Sequence, residues 1–221
     1  MYQSLFFIEF ISLFLLSKFL TKSLLRLFFK FTKSKKITVV FLFCLFFPGT
    51  VIHELAHLLA AGLLFVKTGS MEIIPKVMDN EIRLGSVQVA KTDPFRRTII
   101  GVAPVLLGMA IIFAILFYLQ PLAEKNPGIY IFLFYVIFSV GNTLFSSKKD
   151  LEGTVEFVLA FAFFLVALFI ARGEIAQVFS QILQRPEVVN FFRSADLFLL
   201  VPILIDVIII FMVGLFIRNR I

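Results

Sequence analysis

Apolar residues crowd into six stretches, at about 4–20, 37–66, 98–119, 129–145, 154–171 and 197–217, and polar positions fall mostly between them. A helix needs roughly 20 apolar residues to cross a bilayer, and these runs approach or exceed that length. A lone segment in lipid satisfies its backbone only as a helix. The pattern therefore predicts an all-α, polytopic membrane protein with about six transmembrane helices.

The polar intervals add detail. Lys18, Lys22, Arg26 and Lys30 follow the short first run at a spacing of four. On a helix they share one face, with Leu24, Leu25, Phe28 and Phe29 on others, which predicts an interfacial basic amphipathic helix joined to the first span, or a plain cytoplasmic anchor. The second run is too long for a simple span: thirty residues extend roughly 45 Å against a hydrocarbon core of about 30 Å. Pro48-Gly49 lies inside it and marks a kink or break. Residues 70–92 are mixed in character. Ile82 and Leu84 alternate, Val87 and Val89 alternate on the opposite phase, and Gly85-Ser86 at the change predicts a bulge. With a turn at Asp79-Asn80, this predicts a β-hairpin of 71–77 with 82–90 at the membrane surface. In 172–195, Ile175, Val178, Phe179 and Ile182 have helical spacing; an interfacial helix ended by Pro186 is expected. The organisation read from this is an N-terminal membrane segment with a basic helix (1–36), a core (37–171), and an interfacial helix with a last transmembrane helix (172–221).

Composition narrows the class. The chain is 60% hydrophobic with 31 phenylalanines, well above a soluble domain. Its net charge of +7 sits between apolar runs, where membrane topology rather than nucleic acid accounts for it. The single cysteine, Cys44, excludes an internal disulfide and a cysteine metal site. A multi-pass protein of the cell membrane is expected. Charge does not fix its orientation: 18–36 carries seven basic residues and 67–97 carries six.

One stretch carries chemistry. Both histidines of the chain lie in "VIHELAHLLA", as His53-Glu54-Leu55-Ala56-His57. On a helix, positions four apart point the same way, so both imidazoles can reach one metal ion. Glu54, about 100° round the helix, suits a general base acting on water. Two histidines placed at random fall four apart about one time in a hundred, and the glutamate requirement lowers this to roughly one in three thousand. An unpaired Glu in a spanning helix also costs several kcal/mol, which weighs against a merely structural role. Tetrahedral zinc needs a third protein ligand. With no other His, the candidates are Glu9, Asp150, Glu152, Glu156 and Asp206.

The HExxH in an apolar helix resembles the first motif of the site-2 proteases, polytopic intramembrane zinc metalloproteases. Their second motif places an Asn eight residues before an Asp, with a glycine soon after; "NTLFSSKKDLEG" offers Asn142, Asp150 and Gly153. The resemblance implies one zinc ion held by His53, His57 and Asp150, with Glu54 as general base. It implies a transmembrane protein or peptide as substrate, held as an extended strand. The middle helix of the family carries Gly-Pro followed by Asn; here Gly101 and Pro104 are present and the Asn is not. The usual prolines before the Asp are replaced by "SSKK", and no stretch has room for a PDZ domain. Asn142, Pro104 and Asp206 are candidate supporting residues. The competing expectations are a metal or proton transporter, a zinc peptidase with its site outside the bilayer, and an inactive homologue.

Overall fold

The computed structural model describes residues 2–78, 81–115, 127–144 and 174–218, with short pieces of 159–167. The described chain is mostly helical, with a small antiparallel β-structure. Among the described residues, four helices contain stretches long and apolar enough to cross a bilayer: Ser4–Thr32, Lys35–Leu63, Pro94–Ala114 and Leu199–Phe216. A fifth apolar helix, Pro127–Thr143, is shorter. Most of the run at 154–171 lies outside the described residues.

Helix α1 spans Tyr2–Thr32 without interruption. The basic segment after residue 20 continues the first span as one helix. No Gly or Pro breaks the segment, and Leu20 and Leu24 are buried against Leu42, Phe46, Phe138 and Val213 rather than laid along a surface. Lys18 places its ammonium over the Phe14 ring, 4.7 Å from the centroid. Lys33, in the left-handed region at φ 50°, ends α1, and Ser34 is extended before α2, Lys35–Leu63. The Thr32 and Thr38 hydroxyls meet at 2.9 Å across this turn.

Helix α2 runs through Pro48. Proline offers no N–H, so the carbonyl four residues back, that of Cys44, loses its helical donor. The neighbouring helix α4, Pro127–Thr143, repairs the gap: the Tyr135 hydroxyl donates to Cys44 O at 2.6 Å. One residue on, Gly49 N–H donates to Ser139 Oγ at 2.8 Å. A side chain at Gly49 would overlap the Ser139 carbonyl and the Thr143 hydroxyl, so the glycine sets how closely the two helices approach.

After α2 the chain forms one interrupted hairpin. Strand β1, Thr68–Glu72, pairs antiparallel with β4, Ser86–Val89, as Thr68↔Val89 and Glu72↔Ser86. Strand β2, Lys76–Met78, pairs with β3, Glu81–Arg83, as Lys76↔Arg83 and Met78↔Glu81. The turn expected at Asp79-Asn80 lies outside the described residues. The hairpin begins earlier than expected, one irregularity falls between Thr68 and Met71, and the ladder is also broken beside Gly85, where residues 73–75 face Leu84 and Gly85. Nor does all of it lie on a surface: Leu84 is buried with Leu20, Leu42, Phe46 and Phe138 of the helices.

Helix α3, Pro94–Ala114, starts with Asp93 as N-cap, accepting from Arg96 N at 3.0 Å, and Pro94 in the first turn. Helix α5, Glu174–Gln184, precedes α6, Pro186–Arg218. Helix α5 stops at Gln184, short of Pro186 as expected, and Pro186 also opens α6, because a missing N–H is harmless in a first turn. Phe6 meets Phe192 at 5.5 Å and Phe31 meets Phe216 at 5.5 Å, so α1 and α6 run side by side in the same direction. Helix α4 opposes α6, with Gly141 against Pro202 and Asn142 bonded to Asp206. Leu13, Val105, Ile112, Ile137, Val140 and Leu199 form a core shared by α1, α3, α4 and α6.

Candidate metal centre

Helix α2 turns its polar side inward. Thr50, His53, Glu54 and His57 recur at helical spacing, and all are buried, while Leu55 and Leu59 on the other side are exposed. This inverts the usual arrangement of a water-soluble helix and suits a bundle whose outside is apolar.

The two imidazole rings lie with centroids 4.9 Å apart at 86°. His57 Nδ1 is 2.8 Å from the Ile100 carbonyl of α3. A carbonyl only accepts, so Nδ1 carries the hydrogen, and in the neutral ring Nε2 is the nitrogen with the lone pair. Ile100 lies four residues before Pro104, which is fully buried inside α3. Glu54 is roofed by the hairpin: a Cβ on Gly85 would come within 2.8 Å of Glu54 Cγ and 3.0 Å of Thr50 Cγ2.

The remaining candidates are distributed differently. Asn142 donates through Nδ2 to Phe138 O at 3.0 Å and to Asp206 Oδ1 at 2.7 Å, tying α4 to the fully buried Asp206 of α6. Glu9 is buried on α1, within electrostatic reach of Asp196 on α6. Asp150, Glu152 and Glu156 lie outside the described residues. Among the described residues no group of three His, Cys, Asp or Glu side chains is arranged to hold a metal. Glu9 and Asp206 therefore do not complete a site with the histidines. The histidines supply two nitrogen donors suited to zinc, one with its tautomer set by a carbonyl, and the donor set is incomplete within the described chain.

Sequence reasoning located His53, Glu54 and His57 but missed the parts that hold them. Gly85 suggested a bulge; its lack of a side chain also allows the backbone to pass over Glu54, and close backbone approach is the other standard use of a strand glycine. Ile100 carries no chemical signal of its own. Its carbonyl becomes readable only by counting four residues back from Pro104.

Searches against protein-family models, characterised proteins and solved structures found no match to this chain.

Proposed function

We propose that the protein is an intramembrane zinc metalloprotease of the site-2 type, hydrolysing peptide bonds within or near transmembrane segments. The observation that carries this reading is the inward polar face of α2, where His57 donates from Nδ1 to Ile100 O beside His53 and Glu54. His53 and His57 would hold one zinc ion, with Asp150 as the third ligand implied by the family resemblance. Zinc would supply Lewis acidity, polarising water and the substrate carbonyl.

Glu54 takes a proton from the attacking water and returns it to the leaving amine. Its burial under Gly85 keeps bulk water from the carboxylate. A substrate helix has to unwind locally to present its peptide bond, because an intact helix engages every backbone group.

The test is metal analysis of the purified full chain and its Glu54→Gln and Asp150→Ala variants, with cleavage of a model transmembrane substrate. Expected are about one zinc per chain, zinc without cleavage in Glu54→Gln, and loss of both in Asp150→Ala. A wild-type chain that neither binds zinc nor cleaves sinks the proposal. Full zinc and activity in Asp150→Ala would remove that residue from the ligand set.

A further inference from the structure

The two histidines differ in how they are held, and the difference traces to a proline. In an uninterrupted helix the Ile100 carbonyl would accept from the N–H of residue 104. That residue is Pro104, inside α3 and fully buried. It has no N–H, so the Ile100 carbonyl lacks its helical donor. His57 Nδ1 is 2.8 Å from that oxygen, and the contact is buried. The protein repeats the device at Pro48, whose released Cys44 carbonyl takes the Tyr135 hydroxyl at 2.6 Å. In both cases a helical proline frees a carbonyl and a side chain from a neighbouring helix takes it.

We infer that Pro104 is a positioning residue for His57: by freeing the Ile100 carbonyl it fixes the imidazole as the Nδ1–H tautomer and aims Nε2 into the candidate metal centre. The inference rests on the metalloprotease reading for its consequence but not for its geometry. A non-proline residue at 104 would restore a competing N–H, and the carbonyl would then be shared or withdrawn. Groups that orient a metal-binding histidine typically change metal affinity by about 10–100-fold.

The tautomer can be read without metal or substrate. With two histidines in the chain, ¹⁵N-imidazole NMR of the metal-free, full-length protein in lipid resolves both, and a His53→Gln variant assigns them. The wild type is expected to show His57 as the Nδ1–H tautomer. Pro104→Ala is expected to populate the other tautomer and to weaken zinc or cobalt binding about tenfold. Pro48→Ala, which also removes a helical proline, is expected to leave the His57 tautomer unchanged. An Nε2–H tautomer in the wild type, or an unchanged His57 spectrum in Pro104→Ala, overturns the inference. If no variant binds metal but the tautomer shifts as described, the positioning holds and the metalloprotease reading fails. If Pro104→Ala does not fold, Pro104→Gly, which restores the same N–H, takes its place in the comparison.

Discussion

Gly85 lies directly over Glu54, so close that a Cβ there would stand 2.8 Å from Cγ and 3.1 Å from Oε1. The hairpin can reach the carboxylate because this one residue has no side chain, and Leu84 beside it is anchored in the helix core. Gly85→Ala must therefore move either the hairpin or Glu54. On the proposed protease function, with Glu54 as general base, displacing it by about 1 Å would cost roughly 10²-fold in rate. The expected result is a loss in kcat of that order with zinc content retained, measured by cleavage and metal analysis on the same preparation. An unaltered kcat would show that the roof does not set the position of Glu54.

The link from Tyr135 to the Cys44 carbonyl predicts a coupling. Tyr135→Phe should destabilise the protein by about 1 kcal/mol, the net worth of one such hydrogen bond. In a Pro48→Ala background the carbonyl regains a helical donor, and the same substitution should cost much less. Thermal unfolding of the four proteins in one detergent measures the difference. Equal costs in both backgrounds would exclude the repair.

Gly49 predicts a packing failure. Its missing side chain is where the Ser139 carbonyl and Thr143 hydroxyl sit. Gly49→Ala should cost about 1–3 kcal/mol, the usual range for forced overpacking, despite alanine's better helix propensity. Gly62→Ala, in the same helix with nothing near its Cβ direction, is the control and should be neutral or stabilising. The unfolding midpoints of the two variants decide.

Asn142 and Asp206 predict an asymmetric pair. Asn142→Ala removes the 2.7 Å donor to a fully buried carboxyl group and should cost about 1–3 kcal/mol. Asp206→Asn keeps a polar partner for Asn142 and should cost less. A double variant less destabilised than the sum of the single ones would establish the coupling.

Asp93 predicts a pH dependence outside the apolar spans. The Arg96 backbone N–H donates to its carboxylate and holds its pKa below the ordinary 3.8. A group lowered in the folded state contributes its stabilisation fully above the unfolded value and loses it as pH falls through the folded value. The gap in unfolding midpoint between wild type and Asp93→Ala should be constant from neutral pH to about 5 and close below about 4. A gap that persists unchanged at lower pH would mean the charged cap contributes nothing.

Much of the fold is legible in the sequence because hydrophobic run length speaks directly to helix length: α2, α3, α4 and the later part of α6 all follow apolar runs. The extent of α1 is not legible. Lys18, Lys22 and Arg26 look interfacial by spacing, yet Leu20 and Leu24 between them are core residues, and only their tertiary partners reveal it. The hairpin is legible as a hairpin, but its insertion through Leu84 depends on a surface assembled from four helices. At the site, the spacing of His53, Glu54 and His57 is legible directly, as is the shared face it gives them. The Ile100 carbonyl and the Gly85 backbone are not, since main-chain groups leave no residue-type signature.

The side-by-side run of α1 and α6 in one direction carries a temporal consequence. These helices are more than 150 residues apart in sequence, and Leu13 packs in one cluster with Leu199, as Leu24 does with Val213. During synthesis the chain emerges from its N-terminal side. The flank of α1 that faces α6 thus meets lipid, or a chaperoning surface, until α6 is made. The arrival of α6 is then the step that closes the bundle, and any activity depending on a sealed interior begins only after it.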